Sequence, residues 1–271
     1  MINLPINKII HGDCLKVMQD FPDNCIDLTV TSPPYDNLRT YNGFVFDFEG
    51  IAKELYRITK PGGVVVWVVG DATINGSETG TSFRQALFFK DEAGFKLYDT
   101  MIYAKTAFPK PYPNKYHQVF EYMFVFSKEI LGTFNPIKDR RNKKAGKNTG
   151  INSVREIDGR LTKRTSKKIG EYGKRFNIWE YRVGKNHTTT DNIAYQHPAI
   201  FPEQLAQDHI LSWSNPGDLV FDPMVGSGTT CKMAALNDRN YIGIDISEEY
   251  CELARERIRQ HTAQLRLDVL M

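Results

Sequence analysis

Apolar positions along the chain fall into two periodic blocks separated by a stretch with little periodicity. In the first block, Lys8–His11 and Ile26–Thr31 have the length and composition of strands, and the unbroken β-branched run at 63–69 suits a strand buried on both faces. Between them, Phe48, Ile51, Leu55 and Ile58 recur at helical spacing, and Lys60-Pro61-Gly62-Gly63 signals a stop and a turn. Residues 14–18 read as a short helix, and 96–103 and 118–126 as two further strands. In the second block the pattern predicts a helix over 202–213, a strand over Leu219–Asp222, a helix over 230–236, a strand over 241–245 and a long helix over 248–265. Strand–helix alternation of this kind predicts parallel pairing with right-handed crossovers, an open α/β sheet.

The stretch between the blocks changes the picture through its charge. Residues 138–175 hold fourteen Lys and Arg against four Asp and Glu, so a window of +10 is hidden inside a chain whose net charge is only +3, and the remainder is −7. The window is poor in large apolar residues and contains Gly146, Gly150, Gly159, Gly170 and Gly173, which predicts surface loops and short elements. Clustered positive charge favours a polyanion through counterion release. Over the whole 271 residues, 41% are hydrophobic and 25% charged, which excludes global disorder. The longest apolar run is too short to span a bilayer, residues 1–10 lack the pattern of a signal peptide, and the four cysteines form no CxxC pair. A soluble, cytoplasmic protein without a membrane partner is the expectation, and the histidines show no metal-ligand spacing, so no metal site is assigned.

Three loops at predicted strand ends carry the candidate chemistry. Phe221-Asp222-Pro223-Met224-Val225-Gly226-Ser227-Gly228-Thr229-Thr230 joins a strand to a helix, where glycine allows a sharp turn and close approach of a ligand to the backbone. No Lys follows Gly228, so it is not a Walker loop, and Cys231 stands where a dinucleotide loop needs its third small residue. What remains is a GxG turn with Asp222 before it and Asp245 at the end of the next strand, a position from which an acid can hold ribose hydroxyls. A ribose without an adjacent pyrophosphate points to an adenosine cofactor such as S-adenosylmethionine. In the second loop, His11-Gly12-Asp13-Cys14, Asp13 suits an adenine amine or a helix N-cap. In the third, Ser32-Pro33-Pro34-Tyr35, two prolines hold the backbone rigid with free carbonyls, beside a hydroxyl and a flat ring. That set suits a planar group bearing an amine, such as a nucleobase.

Taken in this order, Ser32-Pro33-Pro34-Tyr35, then His197-Pro198-Ala199-Ile200-Phe201-Pro202, then the 221–230 turn, the chain resembles the beta group of DNA amino-methyltransferases. The resemblance implies a circularly permuted, Rossmann-like methyltransferase of the α/β class with a seven-stranded mixed sheet and a basic target-recognition insertion. It divides the chain into a catalytic half at 1–130, a target-recognition region at 131–195 and a cofactor half at 196–271. It implies S-adenosylmethionine as cofactor, held by Asp13, Cys14, Pro198, Phe201, Pro202, Asp222, Pro223, Gly226, Ser227, Gly228, Thr229 and Asp245. Ser32, Pro33, Pro34 and Tyr35 would hold a flipped base. Arg39, Lys110, Arg140, Arg141, Lys143, Lys144, Lys163 and Arg164 are the expected contacts to double-stranded DNA. A homodimer and a cognate restriction endonuclease are the further partners to look for. Ser at the first loop position favours N4 of cytosine, with N6 of adenine as the alternative and RNA or a protein amide behind it. Methylation at carbon 5 of cytosine needs an activated cysteine, normally after proline, and no Pro-Cys occurs.

Overall fold

The run at 64–69 is almost completely buried and lies within an eight-stranded mixed sheet. The computed structural model describes residues 4–34, 46–107, 114–150, 153–163 and 166–270, the side chains of 263–270 excepted. Its strands are β1 (Lys8–His11), β2 (Ile26–Thr31), β3 (Thr59–Val69), β4 (Lys96–Lys105), β5 (Phe120–Ser127), β6 (Ile178–Tyr181), β7 (Leu219–Asp222) and β8 (Asn240–Asp245). They lie in the order β1-β8-β7-β2-β3-β5-β4-β6, parallel throughout except for β5, which runs against both neighbours.

The helices are α1 (Cys14–Gln19), α2 (Phe48–Ile58), α3 (Thr81–Asp91), α4 (Glu203–Trp213), α5 (Thr229–Leu236) and α6 (Glu248–Leu270). Val65, Trp67 and Val69 pack with Ile51, Ala52 and Leu55 of α2 and Phe89 of α3. The alternate residues Val64, Val66 and Val68 are buried as well, and α4 packs on β2 and β3. Helices therefore cover both faces, as a parallel sheet of continuous apolar strands requires. Asp47 caps α2 by accepting from the Gly50 N–H at 3.0 Å.

Two expectations change, and one helix appears that the pattern did not predict. The sheet has eight strands rather than seven, because Ile178-Trp179-Glu180-Tyr181 adds to the edge beside β4 with Trp179 and Tyr181 inward. The turn expected at 60–63 is the start of β3, with a register irregularity against β2. Helix α3 lacked an apolar signal because two of its four buried positions are Ser82 and Gln85, while Phe83 and Leu87 face solvent.

The described chain forms two compact units, Met1–Asn135 with Asn177–Met271, and Pro136–Phe176. The second unit coincides with most of the basic window. It holds two small antiparallel pairs, Arg140–Arg141 with Tyr172–Gly173 and Ser153–Arg155 with Leu161–Lys163. Residues 177–195 belong with the α/β unit, not with the basic one. Among the described residues no helix is long and apolar enough to cross a membrane.

Candidate active site

The parallel strands end along one edge of the sheet at His11, Asp245, Asp222, Thr31 and Val69. From β7 the chain crosses through α5 to β8, and from β2 it crosses through α2 to β3, on the other side. The crevice between β7 and β2 is therefore a topological switch point, where ligands gather in open α/β sheets. The two loops rich in candidate chemistry leave from these two strands. They are tied together where they leave, because the Thr31 hydroxyl donates to Asp222 Oδ1 at 2.7 Å and the Thr230 hydroxyl donates to the Val30 carbonyl at 3.0 Å. All of these atoms are buried. Ser32 and Pro34 are half-buried and Pro33 is buried directly after Thr31, while Tyr35 lies outside the described residues.

The turn after β7 is built on two left-handed glycines, Gly226 at φ +48° and Gly228 at φ +84°. A side chain at Gly226 would meet the His197 ring at 3.0 Å, and one at Gly228 would meet Ala254 at 2.8 Å, so both positions exclude a Cβ on sterics as well as on φ. Asp245 accepts from the Gly226 N–H at 2.8 Å and the Ser247 N–H at 2.9 Å. A carboxylate has about four lone-pair positions, so acceptor capacity is left over at the sheet edge. Burial pushes the Asp222 carboxyl up to about 6, with the Thr31 hydroxyl opposing. Burial also raises Asp245, against its backbone donors. Two buried acids of this kind suit a cationic ligand carrying hydroxyl groups. Asp13 caps α1 by accepting from the Leu15 N–H at 3.0 Å. It sits with Cys14 beside Asp245, since β1 and β8 pair through His11 and Asp245. The Cys14 thiol is pushed up to about 12, mainly by burial and then by Asp13.

A family model described as "DNA methylase" matches residues 26–256, which include every loop of this crevice except the one after β1. The chain belongs to the DNA methylase family. This DNA methylase is 58% identical to the "Orphan methyltransferase M.BamHII" of Bacillus amyloliquefaciens, over 90% of its own length and 92% of that protein's. It is 28% identical to the "DNA adenine methyltransferase YhdJ" of Escherichia coli, over 92% and 82% of the two chains. Among solved structures, "PVUII DNA METHYLTRANSFERASE (CYTOSINE-N4-SPECIFIC)" superposes with a TM-score of 0.67 at 21% identity, covering 92% of this chain and 85% of that one. A DNA modification methylase from Thermus thermophilus, solved with S-adenosyl-L-methionine, gives 0.64 at 24% identity, covering 94% and 93%. At these identities the solved structures share the fold.

The remaining predicted residues of the methylase separate clearly. Pro202 is buried at the start of α4, Phe201 is half-buried and Pro198 exposed. Just before them the His197 ring stands edge-on to Tyr250 at 4.4 Å and closes over Gly226. Pro223 is buried in the turn. Ser227 and Thr229 are buried too, and their hydroxyls face Arg257 at 3.1 and 3.3 Å. In the basic unit Arg141, Lys143, Lys144 and Lys163 are exposed. Arg140 is also exposed, but its guanidinium donates to the Lys174 carbonyl and lies over the Phe176 ring. Arg39, Lys110 and Arg164 lie outside the described residues. Sequence reasoning missed Arg257, which is fully buried. Its only local signal is its place beside the apolar positions Ala254 and Ile258 of an otherwise charged helix.

Proposed function

We propose that the protein is an S-adenosylmethionine-dependent DNA methyltransferase that acts on the exocyclic N4 of a cytosine turned out of the duplex. The observation that carries this function is the buried Thr31–Asp222 hydrogen bond, which joins the root of the Ser32-Pro33-Pro34-Tyr35 loop to the root of the 223–228 turn. One loop suits the planar amine and the other suits the cofactor, so donor and acceptor meet over a single crevice. The chain's residues fit the cofactor. Asp222 and Asp245 are acids raised by burial, and the left-handed Gly226 and Gly228 hold a tight turn between them that packs directly on His197 and Ala254. When bound, S-adenosylmethionine supplies an electrophilic methyl group. Asp222 would hold its cationic amino group, Asp245 its ribose hydroxyls, and Asp13 and Cys14 would border its adenine.

Ser32 Oγ and the Pro33 carbonyl accept the two hydrogens of the target amine. That would favour a pyramidal nitrogen with a localised lone pair, the form of the amine that can act as nucleophile. Holding the two reactants in line is worth up to about 7–11 kcal/mol of the barrier. Unstacking the base costs on the order of a few kcal/mol. Stacking on Tyr35 offsets about 1–3 kcal/mol of that. No thiolate serves as nucleophile: burial drives Cys14 and Cys251 up to about 12, Cys25 to about 11, and Cys231 well above its usual range. Nitrogen rather than carbon is the site consistent with four inert thiols. Ser32 favours cytosine, and the orphan relative favours an enzyme acting without a partner nuclease. Labelled cofactor, duplex DNA of varied sequence and nucleoside analysis of the product test this function. N4-methylcytosine is expected. N6-methyladenine would replace the target base, and label confined to RNA or protein would overturn the DNA assignment.

A further inference from the structure

Beneath the cofactor turn lies a closed set of charged side chains. Arg257 of α6 and Lys232 of α5 are 0% and 2% exposed. Lys232 Nζ donates to Asp191 Oδ2 and Glu203 Oε1, both at 2.7 Å. Arg257 donates from Nε to the same Asp191 oxygen at 3.0 Å and from Nη2 to the same Glu203 oxygen at 2.7 Å. His261 contacts the other Asp191 oxygen at 2.6 Å. Burying ions in this way is an inefficient route to stability, since apolar groups of the same volume commonly do as well.

The remaining face of the guanidinium does something an apolar group cannot. Arg257 Nη1 donates to the Ser227 carbonyl at 2.6 Å, and the N–H at the other end of that peptide plane, Gly228, donates to the Val225 carbonyl at 2.8 Å. Ser227 stands between the two left-handed glycines of the turn. A peptide flanked by glycine flips readily between turn types, because neither orientation meets a Cβ. Here both ends of the plane are held. The anions that orient Arg257 come from the segment that also delivers His197 against Gly226. One cation therefore fixes the turn and couples it to the 191–203 segment.

We propose that Arg257 is a positioning residue for the cofactor: it locks the Ser227–Gly228 peptide so that the turn is preformed before S-adenosylmethionine binds. This rests on the assignment of the turn as the cofactor site. Preformed sites gain affinity by not ordering on binding, so the effect belongs in cofactor affinity and not in the chemical step. Arg257→Lys keeps the charge and loses the rigid fork. It should raise the cofactor Kd and KM about tenfold, while kcat at saturating cofactor and the KM for DNA stay within about twofold. Lys232→Met is the control, because it breaks the same buried set without touching Ser227; it should lower thermal stability and leave cofactor affinity unchanged. Unchanged cofactor affinity in Arg257→Lys, or an equal loss in Lys232→Met, would overturn the proposal. Asp245→Asn separates the two levels: loss of cofactor affinity there with none in Arg257→Lys removes only the positioning role, and no loss in either removes the cofactor-site assignment too. If the variants do not fold, hydrogen exchange on the cofactor-free wild type decides. The Gly228 amide should be as protected as β7, and exchange at loop rates would refute a preformed turn.

Discussion

Asp222 sits at the meeting point of the two loops with its carboxyl raised to about 6 by burial. A carboxyl whose folded pKa lies above its unfolded value favours the folded state fully below about 3.8, and that advantage is lost as pH rises through 6. A cation delivered to the carboxylate favours the ionised form, so cofactor binding should release a proton. Calorimetric titration should show affinity rising from about pH 5 to about pH 7 and then levelling. Asp222→Asn should bind weakly with no such dependence; a flat wild-type profile would remove Asp222 from the ammonium contact. His209 acts with the opposite sign. It is buried, accepts from the Trp213 indole at 3.1 Å and is pushed down to about 3, so it folds neutral. Stability is lost as pH falls below 6.5 toward 3, and His209→Gln should remove that part of the acid slope in urea unfolding. At this scale the strand-end residues were legible because their signals are local: glycine in a tight turn, an acid at a strand terminus. Arg257 was not, because alternating Glu and Arg along 252–259 reads as a solvated helix face, and only the packing of α6 on α5 turns this one inward.

Between elements, the decisive contact is that of β2 with β7. Their register pairs Leu28 with Val220 and Thr29 with Phe221, which carries Thr31 to Asp222. Thr31→Val keeps the shape and removes the donor, leaving a buried acceptor short of a partner. The expected loss is about 1–3 kcal/mol in urea unfolding, together with weaker cofactor binding, since the same carboxyl is moved further from ionisation. Unchanged stability would mean that water replaces the hydroxyl and that the two loops are not coupled through it. The central strand beside this crevice could be read from the sequence because a parallel strand buried on both faces leaves a continuous apolar run, as at 64–69. Helix α3 could not, because its inward side uses the Gln85 amide to accept from the Trp67 indole at 2.8 Å, so a polar residue occupies a core position. Strand β6 was hidden by its four-residue length and by lying just beyond the basic window, where composition argues for loop.

At the scale of the whole molecule the net +3 divides between an acidic α/β remainder and the basic stretch at 138–175. The structure divides the basic charge again. Arg160 pairs with Asp158, Arg175 pairs with Asp139, and Arg140 is engaged by Lys174 and Phe176. Arg141, Lys143 and Lys168 make no ion pair among the described residues, and they line one open cleft of about 1010 Å³ within the Pro136–Phe176 unit, with Glu171 as the only acid in its wall. Phosphate contacts are best made by cations without an internal partner, because each neutralised phosphate then releases its counterion at no cost in broken pairs. Every such contact contributes about 0.9 to the slope of log affinity against log salt on duplex DNA. Alanine at Arg141, Lys143 and Lys168 together should therefore lower the slope by about 2–3 and weaken binding alike on target and non-target duplexes. Alanine at Arg160 and Arg175 should leave the slope in place, although those residues carry the same formal charge. Fluorescence anisotropy across a potassium chloride series measures both. Equal losses from the two sets would mean that the unit acts on DNA as a diffuse field, and an unchanged slope in the triple variant would move the phosphate track to another surface.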